Sequence, residues 1–153
     1  MNQDDYDTTR ARLAQGAFLA QLRRDPPPGM RLRSDAELDD TLAQVLAMHD
    51  AAEDLYVFGY GSLLWNPALD ALGSELVGVH GWHRRFCLRL VIGRGTPEAP
   101  GAMLALDRGG ACRGLVYRIA AAKVPHELRL LWQREMGSRS YDWRWVDARA
   151  DAA

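Results

Sequence analysis

Apolar side chains recur at intervals of three and four residues in two stretches near the start of the chain. The first stretch, residues 10–24, predicts one helix. A second helix is predicted to begin after Ser34, which is a good N-cap and has Glu37 three residues on as its capping-box partner. This helix should run to about residue 48. Its inward side chains are expected to be Leu38, Leu42, Val45 and Leu46.

A proline-rich connector separates these two helices. The run DPPPGM at 25–30 cannot continue a helix and should form a stiff linker. We therefore expect residues 1–54 to be a helical N-terminal extension, in which no side chain stands out as a candidate for chemistry.

Strand patterns dominate from residue 55 onward. Asn66 and Pro67 resemble the start of a short helix, and residues 121–136 predict a longer one with Pro125 in its first turn. Arg-Gly-Gly at 108–110 predicts a hairpin between two strands, and residues 93–101 predict a loop. The predicted strands are 55–58, 75–92, 102–107, 112–119 and 141–147. Because strands and helices interleave without regular alternation, we expect an α+β domain over residues 55–153.

Charge and composition exclude several classes of protein. The net charge is −1, which is unlike a protein that binds nucleic acid through a basic surface. No apolar run is long enough to span a membrane, and the acidic N-terminus is unlike a signal peptide. Cys87 and Cys112 provide no disulfide framework. We therefore expect free thiols, a cytoplasmic location and no membrane or nucleic-acid partner.

Glu135 is the most informative charged residue. It continues the helical face formed by Leu128 and Leu131, and it lies in the last helical turn before Gly137. Burial and the helix dipole both disfavour a negative charge there, so both raise the pKa of a carboxylate. A general base needs such a pKa. The alternative is that Glu135 bends out to water and pairs with Arg139.

The glycine-containing loop after the first strand, Gly-Tyr-Gly-Ser at 59–62, also has two interpretations. It is either a tight turn or a nest of backbone N–H groups that binds a carboxylate. Ser62 does not fit a nucleophile elbow, because Tyr60 and Leu64 stand where glycines are needed. His80 and His83 have the spacing of metal ligands, but no third ligand is evident. We predict no metal and no cofactor.

These motifs, taken in order over about residues 55–146, closely resemble the ChaC-type γ-glutamylcyclotransferases. The N-terminal arm also resembles the extension of bacterial members. The resemblance implies a small, mixed, β-barrel-like α+β fold with flanking helices. The segments that carry it are VFGYGSLLWNP, FCLRL, GRGTPEAPG, LALDRGGACRGLVYRI and LWQREM.

The same resemblance implies an enzyme, a lyase that converts glutathione to 5-oxoproline and Cys-Gly. In that family the Tyr-Gly-Ser-Leu loop holds the γ-glutamyl group, and the glutamate of Arg-Glu-Met is catalytic. The substrate-binding residues would be Tyr60, Gly61, Ser62 and Leu63, and the catalytic residue would be Glu135. The alternatives are a cyclotransferase for other γ-glutamyl amides or dipeptides, and a degenerate fragment that binds a γ-glutamyl ligand without turnover.

Members of this family continue beyond the strand predicted at 141–147, whereas this sequence ends at residue 153. We therefore expect that strand to form an open sheet edge, with Trp143 and Trp145 on one face. Exposed edges and aromatic side chains favour association. We expect self-association through this C-terminal strand.

Overall fold

The computed structural model describes residues 9–91 and 95–150. Three helices come first, and they are followed by three strands, a fourth helix and a last short strand. The helices are α1 (Arg10–Ala14), α2 (Ala17–Arg24), α3 (Asp35–Ala47) and α4 (Val124–Glu135), and the strands are β1 (Leu55–Gly59), β2 (Gly73–Leu90), β3 (Gly101–Ile119) and β4 (Ala148–Ala150). The mixed α+β class expected from the sequence is confirmed.

The strands form one antiparallel sheet in the order β1-β3-β2-β4. The long pair β2 and β3 is its centre, running from Gly73 opposite Arg118 to Leu90 opposite Gly101. β1 lies along the second half of β3, and β4 pairs with residues 77–79 of β2. β1 is thus paired with β3 along its whole length, and the glycine loop begins at its C-terminal end.

The helices share one apolar core around α4. Apolar side chains of α1, α2 and α3 belong to the same buried cluster as those of α4 and β1. The predicted capping box is confirmed, because the Ser34 hydroxyl accepts from the Glu37 N–H and the Glu37 carboxylate accepts from the Ser34 N–H. The predicted extension therefore packs directly against the helix that carries Glu135.

The predicted hairpin at 108–110 is wrong, because β3 runs through it as a single strand. Gly109 and Gly110 adopt φ values of 94° and 67°, and Gly81 opposite them has φ 84°. These left-handed conformations suit glycine and accommodate a register shift between His80 and Trp82. β2 is long enough to pair with both halves of β3, so the glycines form a bulge rather than a turn.

Three further predictions differ from the structure. The helix expected over residues 10–24 is divided at Gly16, whose φ is 67°. Asn66 and Pro67 do not begin a helix; a single 3-10 turn precedes them at Ser62–Leu64. Residues 141–147 do not form a strand, and pairing begins only at β4. Residue 92 of the predicted strand and residues 93–94 of the predicted loop lie outside the described residues.

A buried ion pair connects α1, α4 and the segment before β2. Glu127 is 1% exposed, and its two carboxylate oxygens accept from Arg10 at 2.5 and 2.6 Å. One of these oxygens also accepts from the Asp70 N–H at 2.9 Å. The Arg10 hydrogen bonds lower the pKa of Glu127 from its ordinary value, against the opposing effect of burial. Glu127 therefore stabilises the fold most in its charged form.

We expect Glu127→Gln to lower the free energy of unfolding by about 2 kcal/mol at pH 7, because Arg10 loses its charged partner. Because the folded-state pKa is lowered, the contribution is fully present above the ordinary value of 4.5 and declines as the pH falls below it. Urea denaturation across this range should show the variant and the wild type converging in acid. Asp39→Asn, which removes an exposed ion pair with Arg129, is the control and should leave the midpoint unchanged. A constant deficit at all pH values would contradict this account.

Candidate active site

The glycine loop leaves the sheet through a tightly packed turn. A Cβ atom at Gly59 would lie 3.0 Å from the Leu63 Cβ and 3.1 Å from the Tyr117 ring. The Tyr117 hydroxyl donates to the Leu63 carbonyl at 2.6 Å. Gly59 is therefore required for close packing, and the turn that follows it is held against β3.

Gly61 is in a different situation. A Cβ atom there would meet nothing within 4 Å, and its φ of −133° lies outside the left-handed region. It precedes the 3-10 turn, of which Ser62 and Leu63 are the first residues. The first N–H groups of a helical turn have no acceptor within it, so this segment presents backbone donors beside open space.

Glu135 is the last residue of α4, and its side chain is 29% exposed. It continues the buried face of Leu128 and Leu131, as the helical spacing predicted. Burial raises the pKa of Glu135, and the charge of Arg134 only partly opposes this. The alternative pairing with Arg139 is wrong, because Arg139 pairs with Glu37. Glu135 thus has the partial burial and the raised pKa expected of a carboxylate that acts as a general base.

Arg134 joins Glu135 to the glycine loop. Its side chain is 6% exposed, and its Nε lies 3.0 Å from the Glu135 Oε1. One Nη donates to the Ser62 hydroxyl at 2.9 Å, and the other donates to the Asn66 carbonyl at 2.5 Å. The planar guanidinium therefore holds the end of α4 and the loop at a defined separation.

Two tyrosines lie beside this pair. Burial, with the nearby charge of Glu135, raises the pKa of Tyr60 to about 12. Burial also raises the pKa of Tyr141, and the nearby Tyr60 and Glu135 add to the effect. Both hydroxyls therefore stay protonated at neutral pH and are available as hydrogen-bond donors.

All five site residues proposed from the sequence line one open cleft of about 1670 Å³: Tyr60, Gly61, Ser62, Leu63 and Glu135. Sequence reasoning missed Arg134 and Tyr141, which line the same cleft. Arg134 directly precedes Glu135, but its direction toward Ser62 could not be inferred from a pattern. Tyr141 was assigned to a strand that does not form.

The described residues contain no candidate metal centre. Within 9–91 and 95–150, no three His, Cys, Asp or Glu side chains gather closely enough to hold an ion. None of the helices in these ranges combines the length and apolar character that a membrane crossing needs.

Comparison with known proteins identifies the class to which this fold and site belong. Residues 55–152 match the family model described as ChaC-like protein. The chain therefore belongs to the ChaC-like family, and the resemblance inferred from its motifs is confirmed.

Individual relatives carry more specific names. The chain is 46% identical over 111 residues to the glutathione-specific γ-glutamylcyclotransferase of Escherichia coli (strain K12), which covers 72% of this chain and 48% of that protein. It is 34% identical over 94 residues to glutathione-specific γ-glutamylcyclotransferase 1 of Homo sapiens, covering 60% of this chain and 42% of that protein. The chain thus spans about half the length of these curated relatives.

Among solved structures, the chain matches a crystal structure of a γ-glutamylcyclotransferase specific to glutathione from yeast. The TM-score is 0.48 and the sequence identity is 24%, over 55% of this chain and 48% of that chain.

The packing at the two loop glycines predicts that the same substitution destabilises the protein at Gly59 but not at Gly61. Gly59→Ala should lower the free energy of unfolding by about 1–2 kcal/mol, because its Cβ presses on Leu63 and Tyr117. Gly61→Ala, with no neighbour at its Cβ, is the matched control and should leave the urea midpoint nearly unchanged. Equal midpoints for the two variants would refute the assignment of Gly59 to packing.

Proposed function

We propose that this protein is a γ-glutamylcyclotransferase that converts glutathione to 5-oxoproline and Cys-Gly. The observation that carries the proposal is the partly buried carboxylate of Glu135, joined through Arg134 to the Ser62 hydroxyl of the glycine loop. Membership of the ChaC-like family and the printed names of the relatives support it.

In this reaction the nucleophile is part of the substrate. The α-amine of the γ-glutamyl group attacks its own γ-carbonyl carbon, a new C–N bond closes the five-membered ring, and the bond to the cysteine nitrogen breaks. The α-ammonium nitrogen gives up two protons, one before the attack and one as the ring closes, and the departing cysteine nitrogen takes up two and leaves as an ammonium group. Holding the amine beside the carbonyl can contribute roughly 7–11 kcal/mol of the barrier reduction. The reaction therefore needs no nucleophilic serine or cysteine and no metal-activated nucleophile.

We assign the proton transfer to Glu135. A carboxylate whose pKa is raised by burial can accept the ammonium proton and deliver a proton to the departing cysteine amine. Arg134 lies 3.0 Å from one of its oxygens and also donates to Ser62 of the loop, which restricts the position of the carboxylate.

We assign substrate binding to the glycine loop, Tyr60, Gly61, Ser62 and Leu63. Its N–H groups suit an α-carboxylate or the oxyanion that develops on the γ-carbonyl. The Ser62 hydroxyl accepts from Arg134, which leaves its own proton available for the substrate. Tyr60 stays protonated and can donate to the ligand.

The test is to incubate the protein with glutathione, with γ-glutamyl dipeptides and with γ-glutamyl-lysine, and to measure 5-oxoproline. Product from glutathione alone supports the glutathione-specific assignment. Product mainly from the other compounds supports a cyclotransferase for γ-glutamyl amides or dipeptides. Binding of glutathione by calorimetry without any 5-oxoproline would identify a non-catalytic γ-glutamyl-binding protein and overturn the enzyme proposal.

Glu135→Gln should nearly abolish turnover: kcat should fall by at least about a hundredfold, whereas glutathione binding should change only modestly. Glutamine keeps the shape but cannot accept the proton. Steady-state 5-oxoproline formation and calorimetric binding measure the two effects. In the wild type, kcat should fall as the pH drops through the raised pKa of Glu135, above the ordinary value of 4.5. A Gln variant with near-normal kcat would remove Glu135 from the mechanism.

The proposal includes a cytoplasmic location and association with a second copy of the chain. Cys87 and Cys112 are both free thiols, as is usual in a reducing compartment. Association is supported by exposed aromatic side chains that line the cleft: Phe86 is 70% exposed and Trp145 is 44% exposed. Since residues 141–147 form no strand, the contact would come from apolar side chains rather than from strand pairing.

We expect Trp145→Ser to shift the protein from dimer or larger species toward monomer, because it removes exposed apolar area from this surface. Light scattering coupled to size exclusion measures the change. Met48→Ser removes another exposed apolar side chain, 65% exposed and outside the cleft, and should not alter the mass. A wild type that is monomeric at all concentrations would refute self-association.

A further inference from the structure

The connector before α3 runs alongside the chain that follows Glu135. Leu32 and Ser138 form an antiparallel bridge. The Arg33 N–H donates to the Gly137 carbonyl at 2.9 Å, and the Arg139 N–H donates to the Arg31 carbonyl at 2.8 Å. Two backbone hydrogen bonds, made by Arg31 and Arg33, therefore tie the connector to residues 137–139, just beyond the end of α4.

The Arg33 side chain extends this contact over a longer stretch. It is 9% exposed, and its guanidinium donates to the carbonyls of Met136 and Tyr141 at 3.0 Å each. It also donates to the Ser138 carbonyl. One buried side chain thus binds three carbonyls within residues 136–141.

The nature of these partners explains why an arginine is required. The Met136 carbonyl lies at the C-cap of α4, where the negative end of the helix dipole favours a cation, and the Ser138 and Tyr141 carbonyls lie beyond the helix. The nearest carboxylate, Asp142, lies 3.6 Å away and is 77% exposed, so it neutralises the buried charge only weakly. The N–H donors of a planar guanidinium are spread over several nitrogen atoms and can bind several carbonyls at once, whereas those of an ammonium group all lie on one nitrogen atom.

The segment that Arg33 holds has a site residue at each end. Met136, whose carbonyl it binds, directly follows Glu135. Tyr141, whose carbonyl it also binds, lines the same cleft as Glu135, and the charge of Glu135 contributes to the raised pKa of its hydroxyl. If this segment moved, the position of both side chains relative to the glycine loop would change.

We propose that Arg33 is a positioning residue for cyclotransfer: by binding the carbonyls of Met136, Ser138 and Tyr141, it sets where Glu135 and Tyr141 stand in the cleft. The inference rests on the proposed function and assigns to the N-terminal part a role in the site. Arg33 itself does not touch the substrate. A displacement of about 1 Å at a catalytic group can lower a rate by about a hundredfold.

The decisive variant is Arg33→Lys, which retains the charge and most of the side-chain length. We expect kcat for 5-oxoproline formation to fall about tenfold, with KM changed less than threefold. Arg33→Gln should lower kcat about a hundredfold. Arg139→Gln is the control, since it breaks an exposed ion pair between the same C-terminal segment and α3 and leaves the carbonyl contacts of Arg33 intact. It should keep kcat within about twofold of the wild type.

A second readout does not depend on turnover. Carbon-13 labelling of glutamate carboxyl groups, with Glu135 assigned through Glu135→Gln, follows its titration by NMR. The titrating neighbours of Glu135 are Arg134, Tyr60 and Tyr141, and all are retained in the Arg33 variants. Release of the segment should hydrate Glu135, so its pKa should fall toward the ordinary value in Arg33→Lys but not in Arg139→Gln.

The outcomes separate the two proposals. If the wild type forms no 5-oxoproline, the enzyme proposal fails and the titration alone decides the role of Arg33. If Arg33→Lys is folded by circular dichroism and keeps both the wild-type kcat and the wild-type titration of Glu135, Arg33 is not a positioning residue. Equal losses in Arg33→Lys and Arg139→Gln would also overturn the proposal, because they would reflect general loosening of the contact. Should Arg33→Gln fail to fold, Arg33→Lys still decides.

Discussion

The contact of Arg134 with both Glu135 and Ser62 is the interaction on which the arrangement of the site depends. The loop after β1 and the end of α4 come from parts of the chain more than 70 residues apart, and this nearly buried guanidinium spans them. A buried arginine is tolerated only when its donors are occupied, so its hydrogen bonds hold the two elements together. The distance between the loop donors and the carboxylate is therefore a property of the fold rather than of either segment alone.

α4 contributes one glutamate that stabilises the fold and another that belongs to the candidate active site. Its first turn holds Glu127, which is buried, pairs with the partly exposed Arg10 and stays charged. Its last turn holds Glu135, which is partly buried and has a raised pKa. The pKa values of two glutamates on one helix thus shift in opposite directions. Glu127 has a bidentate cationic partner and a backbone donor, whereas burial raises the pKa of Glu135 and the charge of Arg134 compensates only in part. This separation of roles is what the proposed general base requires.

The N-terminal helices are continuous with the core rather than an appendage to it. Leu13, Leu22 and Leu42 lie in the same apolar cluster as Leu128 and Trp132. The connector between α2 and α3 is also bonded to the segment after Glu135. The family match begins at residue 55, yet the described site is supported from residues before it. Sequence similarity marks the segments that carry the motifs, whereas packing shows what holds them in place.

Features that depend on neighbours in sequence could be predicted from sequence alone. The capping box at Ser34, the burial of Leu128 and Leu131 and the position of Glu135 on their face follow from spacing within one helix, where geometry is local. The glycine loop was recognised because the pattern Tyr-Gly-Ser-Leu is itself specific. Each of these conclusions needs no knowledge of distant partners.

Tertiary structure decided the features that depend on remote partners. Gly109 and Gly110 suggested a turn, but β2 is long enough to pair with both sides of them, so β3 continues. Residues 141–147 alternate like a strand, yet the Tyr141 carbonyl is bound by Arg33 and its ring faces the cleft. Arg33 and Arg134 were not singled out from the sequence, because nothing near them in sequence identifies the carbonyls and the hydroxyl to which they donate. The sequence by itself determined which residues are suited to the chemistry; only the packing of distant segments decided which of them meet and what holds them there.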